Sequence, residues 1–218
     1  MDKKILIFSG MPASGKDTVT EKMCIENKRF EAFKKHRSVN SGDKLKNTYY
    51  NISTEEFEKK IEAKDFIQYH KRYNRYYGID KKVLFEYLQQ DIIPIIHIGR
   101  IENYYSFKEN FLDFCNKYNI DAKIIHIQLW ETLDTIEKRI IGRGESKTET
   151  KDRIEAAKQE FQDCAKLISQ NKKPFTAIIR NTELLKTVDI INHLVFSDHC
   201  SSDLGYEEFK AYIKNLRV

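Results

Sequence analysis

Residues 5–18 read ILIFSGMPASGKDT, and the fold of the chain turns on this stretch. Ile5 to Phe8 and Ser9 have the uninterrupted look of a short strand. Gly10 and Gly15 then bracket four residues ahead of Lys16, and no helix breaker appears from Lys16 to Asn27. Glycines at those two places let backbone N–H groups turn inward on a di- or triphosphate, while a lysine supplies a point charge at the β and γ groups. The stretch reads as a phosphate-binding loop between a strand and a helix. Gly10, Ala13, Ser14, Gly15 and Lys16 are its candidate phosphate contacts, and Val19 and Met23 are placed to face a sheet.

The residue after the lysine is Asp17, where a hydroxyl usually ligates the Mg²⁺ that travels with a nucleotide. Two readings stay open. Asp17, a hard oxygen ligand, holds Mg²⁺ directly or through water. Alternatively it is a first-turn residue favoured by the helix dipole, and Thr18 or water meets the metal.

The 218 residues carry 38 Lys and Arg against 33 Asp and Glu, a formal charge of +5. That balance suits polyanionic small molecules and is too diffuse to argue for nucleic acid. Cys24, Cys115, Cys164 and Cys200 are far apart without metal-type spacing and read as reduced thiols of a cytosolic protein. No apolar run approaches the roughly 20 residues a bilayer span needs, and MDKK leads straight into a strand, so neither a membrane segment nor a signal peptide is expected.

Beyond the first helix, residues 31–40 are basic and weakly patterned, and 41–48 read as an exposed loop. Ser53-Thr-Glu-Glu56 is a capping box that starts a helix running to about Ala63. Residues 66–78, FIQYHKRYNRYYG, interleave aromatics with basic residues. They suit a hairpin of alternating faces, or a pocket where tyrosine hydroxyls and cations meet an anion. Asp80 to Gln89 has helical periodicity, and residues 92–98, IIPIIHI, form a doubly covered strand in which Pro94 suggests a strand start or an edge. Gly99 and Arg100 follow its end, where ligands sit in open parallel sheets.

Tyr104, Phe107, Phe111 and Phe114 then stripe a helix, residues 123–129 form a strand, and Leu133, Ile136 and Ile140 face inward on the next helix. Arg139 and Arg143 precede a polar ESKTET stretch and a long helix carrying Arg153. Arginines around a glycine-flexible loop are what a closing lid needs, and equally fit a solvated turn. A last strand over 175–179 leads to Arg180, Asn181, a helix near 184–195 and an amphipathic helix from Tyr206. Strands alternating with helices argue for an α/β fold, a parallel sheet wrapped by helices.

Across roughly residues 4–194 the chain resembles the guanylate kinase family. The ordered set STEEF, FIQY, YYG, RIIGRG and DRIEAAKQEF carries that resemblance. It implies a P-loop NTPase fold with a small acceptor-binding insertion and a lid. The core would be 1–32 and 81–195, with the lid at about 142–153. The insertion would be 33–80, and 196–218 a C-terminal helical extension. It implies ATP and Mg²⁺ as cofactors, a small phosphorylated acceptor as substrate, no nucleic acid or membrane partner, and a monomer or homodimer. Lys16 would hold the donor phosphates, with Arg139 and Arg153 around the transferring phosphoryl and Arg143 and Asn181 near the adenine. Tyr49 and Tyr77 would meet the acceptor phosphate, with Arg37, Gln68, Gly78 and Arg100 completing the acceptor side.

Departures from the family fall mainly on that side. Its guanine-reading glutamate aligns with Gln68, a hydroxyl after YYG is Ile79, and an arginine pair is missing near Arg37, Lys44 and Lys46. Two acidic residues at the end of the central strand are His97 and Gly99. A close relative, the ribose 1,5-bisphosphate phosphokinases, is similar at Gly15-Lys16-Asp17, His36-Arg37, Tyr76 to Ile79 and Gly99-Arg100, though its second loop arginine is Ser41 here. A sugar-phosphate acceptor and a non-catalytic binding module are therefore the alternatives to a nucleoside monophosphate kinase such as one acting on GMP.

Overall fold

The computed structural model describes residues 3–40, 45, 47–72, 74–144, 146–170, 172–197 and 204–216. In chain order the elements are β1 (Lys3–Ser9), α1 (Lys16–Glu26), β2 (Phe30–Ala32), β3 (Lys35–Val39), β4 (Tyr49–Ser53) and α2 (Thr54–Glu62). They continue with β5 (Phe66–Arg72), β6 (Arg75–Asp80), α3 (Lys81–Gln89), β7 (Ile93–His97), α4 (Ile101–Tyr118) and β8 (Ala122–Trp130). The chain closes with α5 (Leu133–Ile141), α6 (Lys147–Ser169), β9 (Ala177–Arg180), α7 (Leu184–Phe196) and α8 (Tyr206–Asn215).

A sheet of five strands runs in the order β2-β7-β1-β8-β9, with β2 parallel to β7 and β8 parallel to β9. A parallel strand can be reached only by a crossover, and the intervening helices supply it. Ile5, Leu6, Ile7 and Phe8 are wholly buried, as a strand covered on both faces requires. A second sheet of four strands, β4-β3-β6-β5, pairs β3 with β4 in parallel and β3 with β6 and β5 with β6 antiparallel.

The chain divides into two compact units. The first comprises Met1–Ile5, Lys28–Ile95 and Glu102–Lys123, and holds the four-stranded sheet. Its helices start where local chemistry tells them to. Ser53 accepts from Glu56 N at 3.1 Å while Glu56 Oε2 accepts from Ser53 N at 2.9 Å, the reciprocal capping box. Asp80 caps α3 through Lys82 N and Val83 N, and its other oxygen takes Lys60 Nζ at 2.8 Å. Burial alone would raise the Asp80 pKa, but the Lys60 ammonium and the Val83 N–H outweigh it and hold the carboxyl below its usual value.

The second unit comprises Leu6–Asn27, Ile96–Ile101 and Ile124–Val218. Its core gathers Met11, Trp130, Ile136, Ile140, Phe161 and Phe209, all essentially inaccessible. The C-terminal helix α8 is part of that core: Phe209 meets Trp130 at 4.9 Å, and Tyr212 Oη accepts from Leu133 N at 2.7 Å. Burying a phenylalanine side chain contributes about 2–3 kcal/mol, enough to seat a ten-residue helix that would not persist alone.

Several expectations are corrected. Residues 31–40, read as weakly patterned, contain the end of β2 and all of β3, and β4 follows the expected loop. No alternation announces β3 because His36, Arg37 and Ser38 are all buried, so its polar side chains face inward. The last strand, Ala177–Arg180, starts two residues later than expected, since Phe175 N and O both bond to Tyr206 Oη instead of a ladder. The long helix begins at Lys147, inside the expected lid loop, because Ser146 and Glu149 form a second capping box. Pro94 is the second residue of β7, a strand flanked on both sides, so it marks a strand start and not an edge. Most of the 41–48 loop, including Ser41, Lys44 and Lys46, lies outside the described residues, as does Cys200. Cys24, Cys115 and Cys164 lie outside any disulfide among the described residues. Among the described residues no helix is long and apolar enough to cross a membrane.

Candidate functional site

In the second unit the loop after β1 is forced into shape by its glycines. Gly10 has φ +140° and Gly15 φ +91°, left-handed values that only glycine adopts freely. A Cβ on Gly10 would run into the Leu129 carbonyl, and one on Gly15 into the Asn181 amide. Ala13, between them, is also left-handed at φ +61°. Gly15 is the N-cap of α1 and brings no side chain to cap it, so the first-turn N–H groups suit an anion. Lys16 Nζ points back over the loop, donating to Gly10 O at 2.6 Å, Met11 O at 2.9 Å and Ser14 Oγ at 3.2 Å. Its charge is thereby held over the glycine-bounded turn.

Asn181, at the end of β9, braces the same loop. Its Nδ2 donates to Ser14 O at 2.8 Å, its Oδ1 accepts from Thr187 Oγ1 at 3.0 Å, and its N–H reaches Trp130 O at 2.8 Å. Arg139, on α5, extends Nη1 toward Ala13 O at 3.3 Å and Nη2 toward Asn181 O at 3.4 Å. Together Ala13, Gly15, Thr18, Arg139, Arg143 and Asn181 line a cleft of about 300 Å³, which Thr182 and Leu184 complete. That is the low end of the size range for small-molecule sites. Arg153, half-buried on α6, is not part of that lining.

Asp17 points elsewhere. Its Oδ1 is 3.3 Å from His97 Nδ1 at the end of β7, and His97 Nε2 is 2.7 Å from Thr20 Oγ1 on α1. The hydrogen bond from His97, helped by the charges of His97, Lys16 and Arg143 and opposed by desolvation, holds the Asp17 carboxyl at about 2. Sequence reading noted His97 only as a departure and missed Thr20. Arg100, exposed after β7, lines a separate small cavity with Ser9, Gln128 and Glu160.

In the first unit, β3 and β6 set Arg37 opposite Tyr77 and His36 opposite Gly78. Arg37 is buried with its guanidinium carbon 5.8 Å from the Tyr49 ring, and Tyr49 meets Tyr77 edge-on at 5.7 Å. Tyr49 and Tyr77, expected at an acceptor phosphate, thus share one cluster with Arg37. Gln68, also buried, donates from Nε2 to His70 Nδ1 at 3.3 Å, and His70 stacks on Tyr77 at 5.6 Å. One amide N–H is committed to the imidazole, leaving the carbonyl oxygen as the accepting end. Gly78 serves packing, since a Cβ there would collide with the Phe66 and Phe57 rings. Ile79 is wholly buried and offers nothing polar.

A parallel sheet whose first strand opens into a lysine-bearing, glycine-bounded turn defines the P-loop class of nucleotide-binding proteins. The guanylate kinase family model matches residues 2–198. A guanylate kinase of Clostridium tetani is 30% identical over 205 residues, 93% of this chain and 90% of that protein. One from Mycoplasma mobile is 32% identical over 165 residues, 72% and 79% of the two chains. The crystal structure of guanylate kinase from Anaplasma phagocytophilum has the same fold at a TM-score of 0.59 and 16% identity, covering 95% of this chain and 93% of that one. The chain belongs to the guanylate kinase family and is a P-loop kinase, a phosphotransferase of a family that draws its phosphoryl group from ATP.

Proposed function

We propose that the chain transfers the γ-phosphoryl of Mg²⁺-bound ATP to the phosphate of a nucleoside monophosphate, with GMP as the acceptor. Lys16, inside a glycine-bounded loop and beside a cleft lined by Arg139 and Arg143, is the observation that carries the reading. In this reading the second unit is the donor side. Gly10 to Thr18 cradle the phosphates, Arg139 and Arg153 neutralise the transferring group, Arg143 and Asn181 border the adenine, and 142–153 acts as the lid. The 33–80 segment is the acceptor side, where Arg37, Tyr49 and Tyr77 hold the acceptor phosphate and the Gln68 oxygen accepts from the guanine N–H edge. Catalysis is then positioning and charge neutralisation, with no covalent enzyme intermediate.

The donor set suits Mg²⁺. Asp17 and Thr18 offer a carboxylate and a hydroxyl, hard oxygens of the kind this ion takes singly or in pairs alongside substrate phosphates. The ion would supply neutralisation of the negative charge that gathers on the phosphates during transfer.

Ile79 and the single accepting oxygen of Gln68 favour a second acceptor class, the sugar phosphates, because they weaken base readout. Coupled ADP release with GMP, dGMP, AMP, UMP and ribose 1,5-bisphosphate separates the classes. Turnover with GMP above the others supports the proposal. Turnover with only ribose 1,5-bisphosphate replaces the acceptor, and none above intrinsic ATPase removes the kinase reading.

A further inference from the structure

Two departures from the family pattern meet in space. Where the loop would carry a hydroxyl it carries Asp17, and where the central strand would end in a carboxylate it ends in His97. These are the two side chains that lie 3.3 Å apart. The carboxylate accepts only, so His97 Nδ1 carries the shared proton. That leaves Nε2 for the hydroxyl of Thr20, 2.7 Å away and 77 positions distant in sequence. Thr20 is itself buried at 4% exposure, one turn beyond Asp17 on α1, and Phe8 flanks the ring at 6.0 Å. The imidazole is therefore fixed from two sides, while the Asp17 side chain remains 92% exposed and open to a ligand.

Thr18, the other candidate metal ligand, lines the arginine cleft with Arg139 and Arg143, and Asp17 does not. Adjacent residues on a helix project in directions about 100° apart, so the two cannot serve one position equally.

We infer that Asp17 is the carboxylate presented to the metal of the metal–nucleotide, with His97, steadied by Thr20, as its positioning residue. The inference rests on the ATP reading of the loop. An imidazole N–H held on a ligating carboxylate orients it, and loss of such an outer partner typically costs about 10- to 100-fold in metal affinity. Thr18 is then a cleft residue with no part in metal capture.

The test is calorimetric titration of ATP into the full chain with and without Mg²⁺, in the wild type and in Asp17→Asn, Thr18→Ala, His97→Ala and His97→Asn. Mg²⁺ is expected to tighten ATP binding in the wild type. Asp17→Asn is expected to abolish that gain while metal-free ATP still binds. His97→Ala should weaken apparent Mg²⁺ affinity about tenfold. His97→Asn, which keeps a donor near the Nδ1 position, should recover most of it, and Thr18→Ala should keep the ratio of Mg²⁺-bound to metal-free ATP affinity even where ATP binding itself weakens. Metal-free ATP binding also reports that each variant is folded. An unchanged Mg²⁺ gain in Asp17→Asn, loss of that gain in Thr18→Ala, or equal losses in the two His97 variants overturns the inference and leaves the ATP reading standing. A wild type that binds ATP in neither condition overturns both.

Discussion

The phosphate loop and the four-stranded sheet use the chain in opposite ways. In the loop the backbone is the instrument: Gly10 and Gly15 hold dihedrals other residues resist, and Lys16 and Asn181 bind its carbonyls. In the sheet the side chains are the instrument: Arg37, Tyr49, Tyr77, His70 and Gln68 form a cluster across laddered strands whose register shifts once, between Phe66 and Gln68. Backbone-built sites tolerate little change at their glycines. A side-chain cluster can be re-tuned one residue at a time, and the departures from the family pattern concentrate there.

The sharpest way to break this contrast is Lys16→Ala. Removing the charge over the loop is expected to lower kcat by roughly a thousandfold, with the thermal midpoint little changed, in a coupled ADP-release assay beside a melting curve. A variant within tenfold of the wild type would mean that the loop does not hold the donor phosphates.

Asn181→Ala strikes the loop's brace. Ser14 O and Thr187 Oγ1 lose their partner inside the protein, so a destabilisation of about 1–3 kcal/mol is expected, with weaker ATP binding. Denaturant melts and calorimetry read the two effects separately. Loss of stability with intact ATP affinity would show that the loop holds its shape without the brace.

On the acceptor side Gln68→Glu restores a carboxylate where the amide has one accepting oxygen. It is expected to raise kcat/KM for GMP over AMP by about tenfold, roughly a kcal/mol of added discrimination. No change in that ratio would favour a sugar-phosphate acceptor.

The smallest effect concerns the scaffold of that unit. Asp80 is held below its usual 3.8 and Lys60 above its usual 10.5 by their mutual hydrogen bond. For Asp80 the lowered folded value means a contribution present above 3.8 and lost as pH falls through the folded pKa. For Lys60 the raised value means a contribution present below 10.5 and lost as pH rises beyond it. Asp80→Asn keeps an N-cap but ends the ion pair. It is expected to cost about 1 kcal/mol at neutral pH and to flatten the fall in stability as pH drops below 3.8. An unchanged acid limb would assign that fall to other carboxylates.

The same contrast explains what could be read without coordinates. Residues 5–18 announce their geometry because glycine spacing dictates backbone shape locally. Ser53 and Glu56 likewise name a helix start with no help from the rest of the chain. Ser146 and Glu149 carried the same signal, overlooked beside the arginines that suggested a loop. The strand Lys35–Val39 was illegible because its inward residues are polar. The meeting of Asp17 with His97 was equally hidden, since each looked like an isolated departure until the sheet brought β7 beside the loop. Long-range pairing leaves no trace in spacing.

The most direct measurement of the central claim is a calorimetric titration of ATP into the wild type and Lys16→Ala side by side. One saturable site in the wild type that vanishes in the variant is the expected result. Equal binding by both proteins, or none by the wild type, would contradict the assignment of the glycine-bounded turn as the seat of the donor phosphates.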